Sequence, residues 1–117
     1  MTGNDVYRKT LGLLGYLNTN TIVANKDNLL SRATDIINHI CADLKIPQIK
    51  QLSDEITAND LKIDALCYGT AMLLALTEGD GAKNELFARL YNQKRAAALS
   101  QIEKIKDTLP VTSDEVD

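Results

Sequence analysis

Residues 57–109 decide the fold, and they read TANDLKIDALCYGTAMLLALTEGDGAKNELFARLYNQKRAAALSQIEKIKDTL. On both sides of the Gly79-Asp80-Gly81 turn, apolar side chains recur at intervals of three and four residues, the spacing of helices that bury one face. Glycine commonly ends a helix and aspartate commonly begins one. The stretch therefore predicts two long helices folded against each other, an antiparallel hairpin around which the rest of the chain is arranged.

The first helix of the hairpin is predicted to begin at Thr57. Thr57 and Asp60 have the spacing of a capping box, and Ile56 and Leu61 occupy the two positions of a hydrophobic staple. Positions 71–76 are apolar on every side of the helix, and such a helix is normally buried all round. We therefore expect it to lie at the centre of the fold, with neighbours on several faces.

Gly69 lies in the middle of this helix, where a glycine costs about 1 kcal/mol relative to alanine. Ala65 lies one turn earlier on the same face, so the two residues form a smooth strip. A crossing helix packed closely against that strip would compensate for the cost, and a glycine that is merely tolerated is the alternative.

The second helix of the hairpin follows a predicted left-handed residue at Gly79 and a predicted cap at Asp80. It is expected to run for about seven turns until Pro110 stops it. Its apolar stripe consists of Leu86, Phe87, Leu90, Tyr91, Ala97, Ala98, Ile102, Ile105 and Leu109.

Two shorter helices are predicted to cover the hairpin. The first spans about 3–17 and begins with a capping box formed by Thr2 and Asp5. The second begins after the cap Asn25 and ends near Lys45. Its apolar stripe consists of Leu29, Ala33, Ile36, Ile37, Ile40, Cys41 and Leu44.

The segment 46–56 is irregular, and we expect Ile46, Ile49 and Leu52 to anchor it to the core. The predicted fold class is thus all-α: a small bundle of about four helices, built on a long antiparallel helical hairpin and followed by a flexible C-terminal tail. Residues 1–109 are predicted to form a single helical domain.

Residues 110–117 form the acidic C-terminal tail, which is expected to be disordered when the protein is alone. The tail could instead pair with the edge of a partner's sheet through the apolar residues Val111 and Val116, and this alternative remains open.

The composition excludes several classes of protein. A chain of 117 residues suits one domain, and a formal charge of −3 is too weak for a dedicated nucleic-acid or membrane-surface protein. The N-terminus lacks the apolar region of a signal peptide, and the longest apolar run is far short of the ~20 residues that span a bilayer. We expect a protein made and used in a cytoplasm, or packed into a particle assembled there.

The residues that could carry chemistry are few, and no reaction is expected. Cys41 and Cys67 lie in apolar helical stretches and are expected to be buried and reduced. Asp35, His39 and Asp43 share one helical face at intervals of four, a spacing that could bind a divalent metal weakly, but that face is expected to be solvated surface. Neither a catalytic residue nor a cofactor or metal site is predicted.

The last helix carries a modest basic patch formed by Arg89, Lys94 and Arg95. A solvated face is the simpler interpretation, and a docking surface for an acidic partner is the functional one. The predicted partner-binding residues are Arg89, Lys94, Arg95, Ile102, Ile105, Leu109, Val111 and Val116.

A family resemblance is carried by four runs, namely 27–37 (DNLLSRATDII), 65–76 (ALCYGTAMLLAL), 78–80 (EGD) and 86–95 (LFARLYNQKR). In these runs the chain resembles the head–tail connector, or adaptor, proteins of tailed bacteriophages. The resemblance covers roughly 6–109 and consists of helical apolar patterns around one Gly-Asp turn. The segment 46–56 has no counterpart in it.

The resemblance implies a structural virion protein rather than an enzyme. Such connectors assemble as a homo-oligomeric ring, usually a dodecamer, beneath the portal protein. They extend the DNA channel without sequence-specific DNA binding, and they carry the next neck or tail protein. It also implies assembly in the bacterial cytoplasm, a final place in the neck of the virion, no membrane and a portal-facing C-terminal segment.

Two alternatives remain open. One is a small helical partner-binding or regulatory module that forms a dimer through the long stripe of the last helix. The other is a metal-assisted enzyme built around His39.

Overall fold

The structure of the chain, a computed structural model, describes residues 1–15 and 26–108, with side chains for residues 1–15 and 32–100. The described residues form four helices: α1 (Gly3–Leu14), α2 (Lys26–Leu44), α3 (Asp60–Thr77) and α4 (Gly81–Thr108). Helices α3 and α4 are the two arms of the hairpin. The predicted all-α bundle built on a long antiparallel hairpin is confirmed, whereas the predicted tail lies outside the described residues.

Helix α3 is the central helix, because it packs against α4, α1 and α2. Leu66, Cys67 and Ala71 on it are completely buried, as the prediction required. The expectation of burial on every side is wrong at its C-terminal end, where Leu76 is 62% exposed and Leu73 is half-buried. The last turn of α3 therefore keeps a partly exposed apolar face.

The predicted start of α3 is wrong by a few residues. Asn59, not Thr57, is the cap, and its side chain accepts a hydrogen bond from the backbone N–H of Lys62 at 2.9 Å. Leu61 is 43% exposed, so the predicted staple with Ile56 does not form. Asparagine is among the strongest capping residues, and it displaces the start past the threonine.

The turn between α3 and α4 is as predicted. Gly79 adopts a φ of +75°, the left-handed conformation that ends many helices. The side chain of Asp80 accepts a hydrogen bond from the backbone N–H of Lys83 at 3.2 Å and so caps α4.

Three contacts define the register of the hairpin. Asn84 Nδ2 donates to the Met72 carbonyl at 2.9 Å. The rings of Tyr68 and Phe87 lie 5.8 Å apart, and the ammonium of Lys94 lies 2.8 Å from Asp64 Oδ2. In this register the beginning of α3 lies opposite Ala98, which is fully buried.

Gly69 is the point of closest approach between three helices. A Cβ atom there would lie 2.7 Å from Ile40 Cγ2 of α2 and 2.8 Å from Tyr91 Cε1 of α4. The prediction of a close crossing at Gly69 is confirmed. Two helices, α2 and α4, pack closely against this residue, where one was expected.

Helix α1 begins with the predicted capping box between Thr2 and Asp5. It ends three residues earlier than predicted, because Gly15 adopts a left-handed φ of +76° after Leu14. The ammonium of Lys83 donates to the Leu14 carbonyl at 2.6 Å, so a charge on α4 completes the end of α1.

Helix α2 ends at Leu44, next to Lys45 as predicted, and the segment after it packs against the core. Ile46 and Ile49 are buried and Leu52 is half-buried, as predicted. The side-chain amide of Asn38 holds the backbone of Ile49 through two hydrogen bonds of 2.7 and 2.8 Å. The predicted cap Asn25 lies outside the described residues.

The apolar stripe of α4 is narrower than predicted. Phe87, Tyr91 and Ala98 are buried, whereas Leu86 is 42% exposed and Ala97 is exposed. Phe87, Tyr91 and Ala98 are spaced by four and then seven residues, so they lie on one face of the helix. Leu86 and Ala97 each precede one of these residues by one position and lie on the outer face.

Candidate partner-binding surface

Lys94, one member of the predicted basic patch, forms an ion pair with a residue of α3. Its ammonium lies 2.8 Å from Asp64 Oδ2 on α3 and 5.1 Å from the centroid of the Tyr68 ring. The hydrogen bond to Asp64 and the charge of that carboxylate raise the pKa of Lys94. Its charge is therefore balanced by a residue of the same chain.

Arg95 is held in the same way by α2. Its Nε donates to Asp43 Oδ2 at 2.8 Å, and the hydroxyl of Tyr91 donates to the same oxygen. The hydrogen bond from Tyr91 is the largest cause of the lowered pKa of Asp43, and the hydrogen bond from Arg95 adds to it. The cluster joins α2 to α4, so these side chains have a structural use whether or not a partner binds.

Arg89 differs from the other two members of the patch. It is exposed on the outer face of α4, and among the described side chains none forms an ion pair with it. The three residues predicted as one surface therefore do not form a shared free cationic patch, and of the three only Arg89 forms no ion pair with a described side chain.

The remaining predicted partner-binding residues lie towards the C-terminus. Ile102 and Ile105 belong to α4, but their side chains lie outside the described residues. Leu109, Val111 and Val116 lie outside the described residues altogether.

An open apolar groove lies between α2 and α3, at the exposed end of α3. Its volume is about 270 Å³, and its lining consists of Asp35, Ile36, His39, Leu73, Leu76 and Thr77. Leu76 is the most exposed large apolar side chain among the described residues. Exposed apolar surface with a polar rim is typical of a contact site for another molecule.

His39 lies on the wall of this groove. Asp35 shares the groove with it, whereas the third member of the predicted face, Asp43, bonds to Tyr91 and Arg95. Among the side chains of residues 1–15 and 32–100, no group of three histidine, cysteine or acidic residues is placed to hold a metal ion.

The cysteines are both free and fully buried, as predicted. Burial raises the pKa of Cys41 to about 11 and the pKa of Cys67 to about 11. Both thiols are therefore protonated near neutral pH, a state in which sulfur is a weak nucleophile.

The buried polar side chains bond to backbone carbonyls. Lys62 donates to the carbonyl of Lys45 at 3.2 Å and so completes the end of α2. Thr10 donates to the Cys67 carbonyl at 3.3 Å, and Thr70 donates to the carbonyl of Leu66 at 2.7 Å. Lys62 and Thr10 thus bond to backbone of another helix or its end, whereas Thr70 bonds within α3, and all three side chains have a structural use.

None of the helices in the described part of the chain is long and apolar enough to cross a membrane. Comparisons of the chain with models of protein families, with curated proteins and with solved structures found no match.

Sequence reasoning missed the groove. Positions 71–76 are apolar on every side of the helix. This pattern is the same for a helix that its own chain buries completely and for one whose last turn stays exposed. Leu76 is followed by the polar residues Thr77 and Glu78 and then by the turn, and this closeness to the helix end was the available signal that its burial is incomplete.

Proposed function

We propose that the chain is a structural protein of a tailed-bacteriophage particle. It is one subunit of a head–tail connector ring that lies beneath the portal, extends the DNA channel and carries the next neck or tail protein. The observation that carries this proposal is the hairpin, in which α4 has 28 residues and its partner α3 has 18. In the register of the hairpin, helix α4 thus continues past the start of α3, and we assign this extension to a contact with a neighbouring subunit.

The exposed leucines of the hairpin support a role in assembly. Leu61 and Leu76 lie near opposite ends of α3, and Leu86 lies on the outer face of α4, with exposures of 43%, 62% and 42%. A ring requires two different surfaces on each subunit, because each copy contacts one neighbour with one surface and the other neighbour with the second. Apolar residues at separate places on the hairpin suit that requirement.

The proposal assigns no catalytic residue and no cofactor. Its partners are further copies of the chain, in a ring that the family resemblance makes twelvefold, together with the portal protein and a downstream neck or tail protein. DNA passes through the ring without sequence-specific contacts. The protein would assemble in the bacterial cytoplasm and remain in the neck of the virion.

We assign the portal contact to the C-terminal end of the chain and to the outer face of α4. Leu109, Val111 and Val116 are the apolar candidates at that end, and Arg89 is an exposed cation on α4. Contacts between copies are assigned to the hairpin and to the end of α4.

The test is co-assembly with the portal protein encoded by the same genome. We expect the two proteins to form one large complex, and electron microscopy of that complex to show a ring of this chain on the portal. A genome without a portal gene, or a folded chain that never joins the portal, would overturn the proposal.

A matched pair of variants localises the portal contact. Replacing Val111 and Val116 with aspartate should weaken portal binding, because two apolar contacts are lost. Replacing Thr112 and Ser113 with aspartate adds the same charge and should have a smaller effect. Equal effects of the two double variants would assign the contact elsewhere.

A second candidate function is a dimeric partner-binding or regulatory module. Leu86, Ala96 and Ala97 are exposed along the outer face of α4, and this face could pair with the same face of a second copy. Leu86→Glu should then convert a dimer into a monomer. A chain whose association is insensitive to Leu86→Glu would remove this candidate.

A further inference from the structure

We propose that the groove between α2 and α3 receives the protruding end of α4 from a second copy of the chain, so that copies join head to tail. The inference rests on the proposed ring function and names the contact from which such a ring is built.

The groove offers a place for apolar side chains of a partner. Ile36 and Leu73 form its walls, and Leu76 remains 62% exposed within it. Burying apolar side-chain surface stabilises a contact roughly in proportion to the area removed from water. A partner that covers Leu76 therefore gains a contact that the isolated chain leaves unused.

The protruding end of α4 supplies a matching element. Helix α4 passes Ala98, its last described buried residue, and continues to Thr108, a further ~15 Å at the rise of an α-helix. In the sequence of this end, Leu99, Ile102 and Ile105 follow one another at intervals of three. Helices with apolar residues at such intervals commonly bind in grooves.

Charge also suits this pairing. Asp35 is exposed at the rim of the groove. In the sequence of the protruding end, Lys106 follows Ile102 by four residues, the spacing of one helical face. A copy that presents position 102 to the groove thus presents a lysine position of the same helical face to the side of the rim carboxylate.

The occupant must come from another copy, because the two surfaces lie at opposite ends of the hairpin. The groove is lined by Leu73, Leu76 and Thr77, at the end of α3, whereas the protruding end of α4 departs near Asp60, at its beginning. About 20–25 Å of helix separates the two positions. A contact between two different surfaces is heterologous, and repeated contacts of this kind close into a ring or form a filament.

The test uses two variants that each damage one side of the contact. Leu76→Glu removes the groove but keeps the protruding end, and Ile102→Glu removes the protruding end but keeps the groove. Sedimentation velocity over a concentration series is expected to show species larger than a dimer for the unmodified chain. Each variant alone should associate about tenfold or more weakly.

Mixing the two variants is the decisive measurement. The intact protruding end of the Leu76→Glu copy can enter the intact groove of the Ile102→Glu copy, so a one-to-one complex should form that cannot grow further. Asn4→Glu, which adds the same charge at an exposed position in the first turn of α1, is the control and should associate like the unmodified chain. Circular dichroism of every variant verifies that the helices are retained, and Ile105→Glu replaces Ile102→Glu if the latter loses them.

Several outcomes would overturn the inference. They are a strictly monomeric unmodified chain, a dimer as its largest species, no complex in the mixture, or variants that associate as strongly as the unmodified chain. A chain that joins the portal as a ring but is insensitive to both variants would retain the proposed function and lose this contact. A chain that shows the contact but never binds a portal would contradict the proposed function and support the proposed contact.

Discussion

The hydroxyl of Tyr91 donates a hydrogen bond to the carboxylate of Asp43, and this contact joins the end of α2 to the middle of α4. Arg95 donates to the same oxygen at 2.8 Å. Burial, and then the neighbouring carboxylate, raise the pKa of Tyr91, so the phenol stays protonated and remains a donor at neutral pH. The same two donors lower the pKa of Asp43.

Asp43 should make the stability of the bundle sensitive to acid. Its pKa is lower in the folded chain than the ordinary value of about 3.9 in the unfolded chain. Its contribution is therefore complete above about pH 4 and is lost as the pH falls through the lowered pKa. Asp43→Asn should cost about 1 kcal/mol at pH 7, because a partly exposed charged acceptor is replaced.

Urea unfolding at a series of pH values from neutral to about 2 measures this effect. The difference in stability between the original chain and Asp43→Asn should shrink as the pH falls below about 4. Tyr91→Phe, which removes the main donor, should reproduce part of the loss at neutral pH. A difference that stays constant across the series would contradict the prediction.

Gly69→Ala should destabilise the bundle. The added methyl group would meet Ile40 Cγ2 at 2.7 Å and Tyr91 Cε1 at 2.8 Å. Neither neighbour yields easily, because Ile40 is branched close to its backbone and the Tyr91 ring is held by Asp43. Overpacking costs about 1–3 kcal/mol, and the better helix propensity of alanine returns about 1 kcal/mol.

Gly81→Ala is the matched control for this substitution. No heavy atom lies within 4 Å of the Cβ that it would add, and Gly81 does not have a positive φ. Thermal and urea unfolding should show a loss for Gly69→Ala and no loss for Gly81→Ala. Equal stabilities of the two variants would mean that the three helices do not meet as closely at Gly69 as described.

Lys45→Gly should stabilise the chain by about 1 kcal/mol. Lys45 ends α2 with a φ of +61°, a left-handed conformation that side chains other than glycine disfavour. Its side chain is exposed, and the carbonyl that accepts from Lys62 is retained in the variant. The measurement is the urea midpoint, which should rise.

Gly79→Ala tests the same principle in the opposite direction. Gly79 has a φ of +75°, and no heavy atom lies within 4 Å of the Cβ that would be added. The cost of about 1 kcal/mol is therefore conformational and not steric. If both substitutions moved the midpoint in the same direction, the left-handed conformations would not be the cause.

The two thiols should react only when the bundle opens. Cys41 and Cys67 have no exposed surface, and burial raises the pKa of each to about 11. We expect an aromatic disulfide reagent at pH 8 to modify the native chain at least about a hundredfold more slowly than the urea-unfolded chain. Cys41→Ala and Cys67→Ala report on the remaining thiol separately, and rapid modification of either native variant would disprove the burial of that thiol.

The sequence was most informative where structure depends on neighbours along the chain. The capping box of Thr2 and Asp5, the left-handed Gly79 and the capping Asp80 all arise from contacts over a few residues, and all were predicted. The start of α3 was wrong because two capping residues, Thr57 and Asn59, compete within one turn. Small differences in local energy decide between them.

The basic patch on α4 shows why the candidate site was less predictable. Helical spacing places Arg89, Lys94 and Arg95 on one helix but says nothing about the acids opposite. Asp43 and Arg95 are 52 residues apart in the chain, and only the packing of α2 against α4 brings them together. Lys94 and Arg95 are thus paired with acids of other helices, whereas Arg89 forms no ion pair with a described side chain.

The sequence by itself determined the four helices, the hairpin turn and the close crossing at Gly69, because each of these depends on local preference or on the periodicity of apolar residues. Tertiary structure alone decided that Leu76 stays exposed beside His39, and that two of the three cations are balanced within the chain. Exposure and pairing depend on where helices diverge and meet, and these positions follow from the packing of residues far apart in sequence.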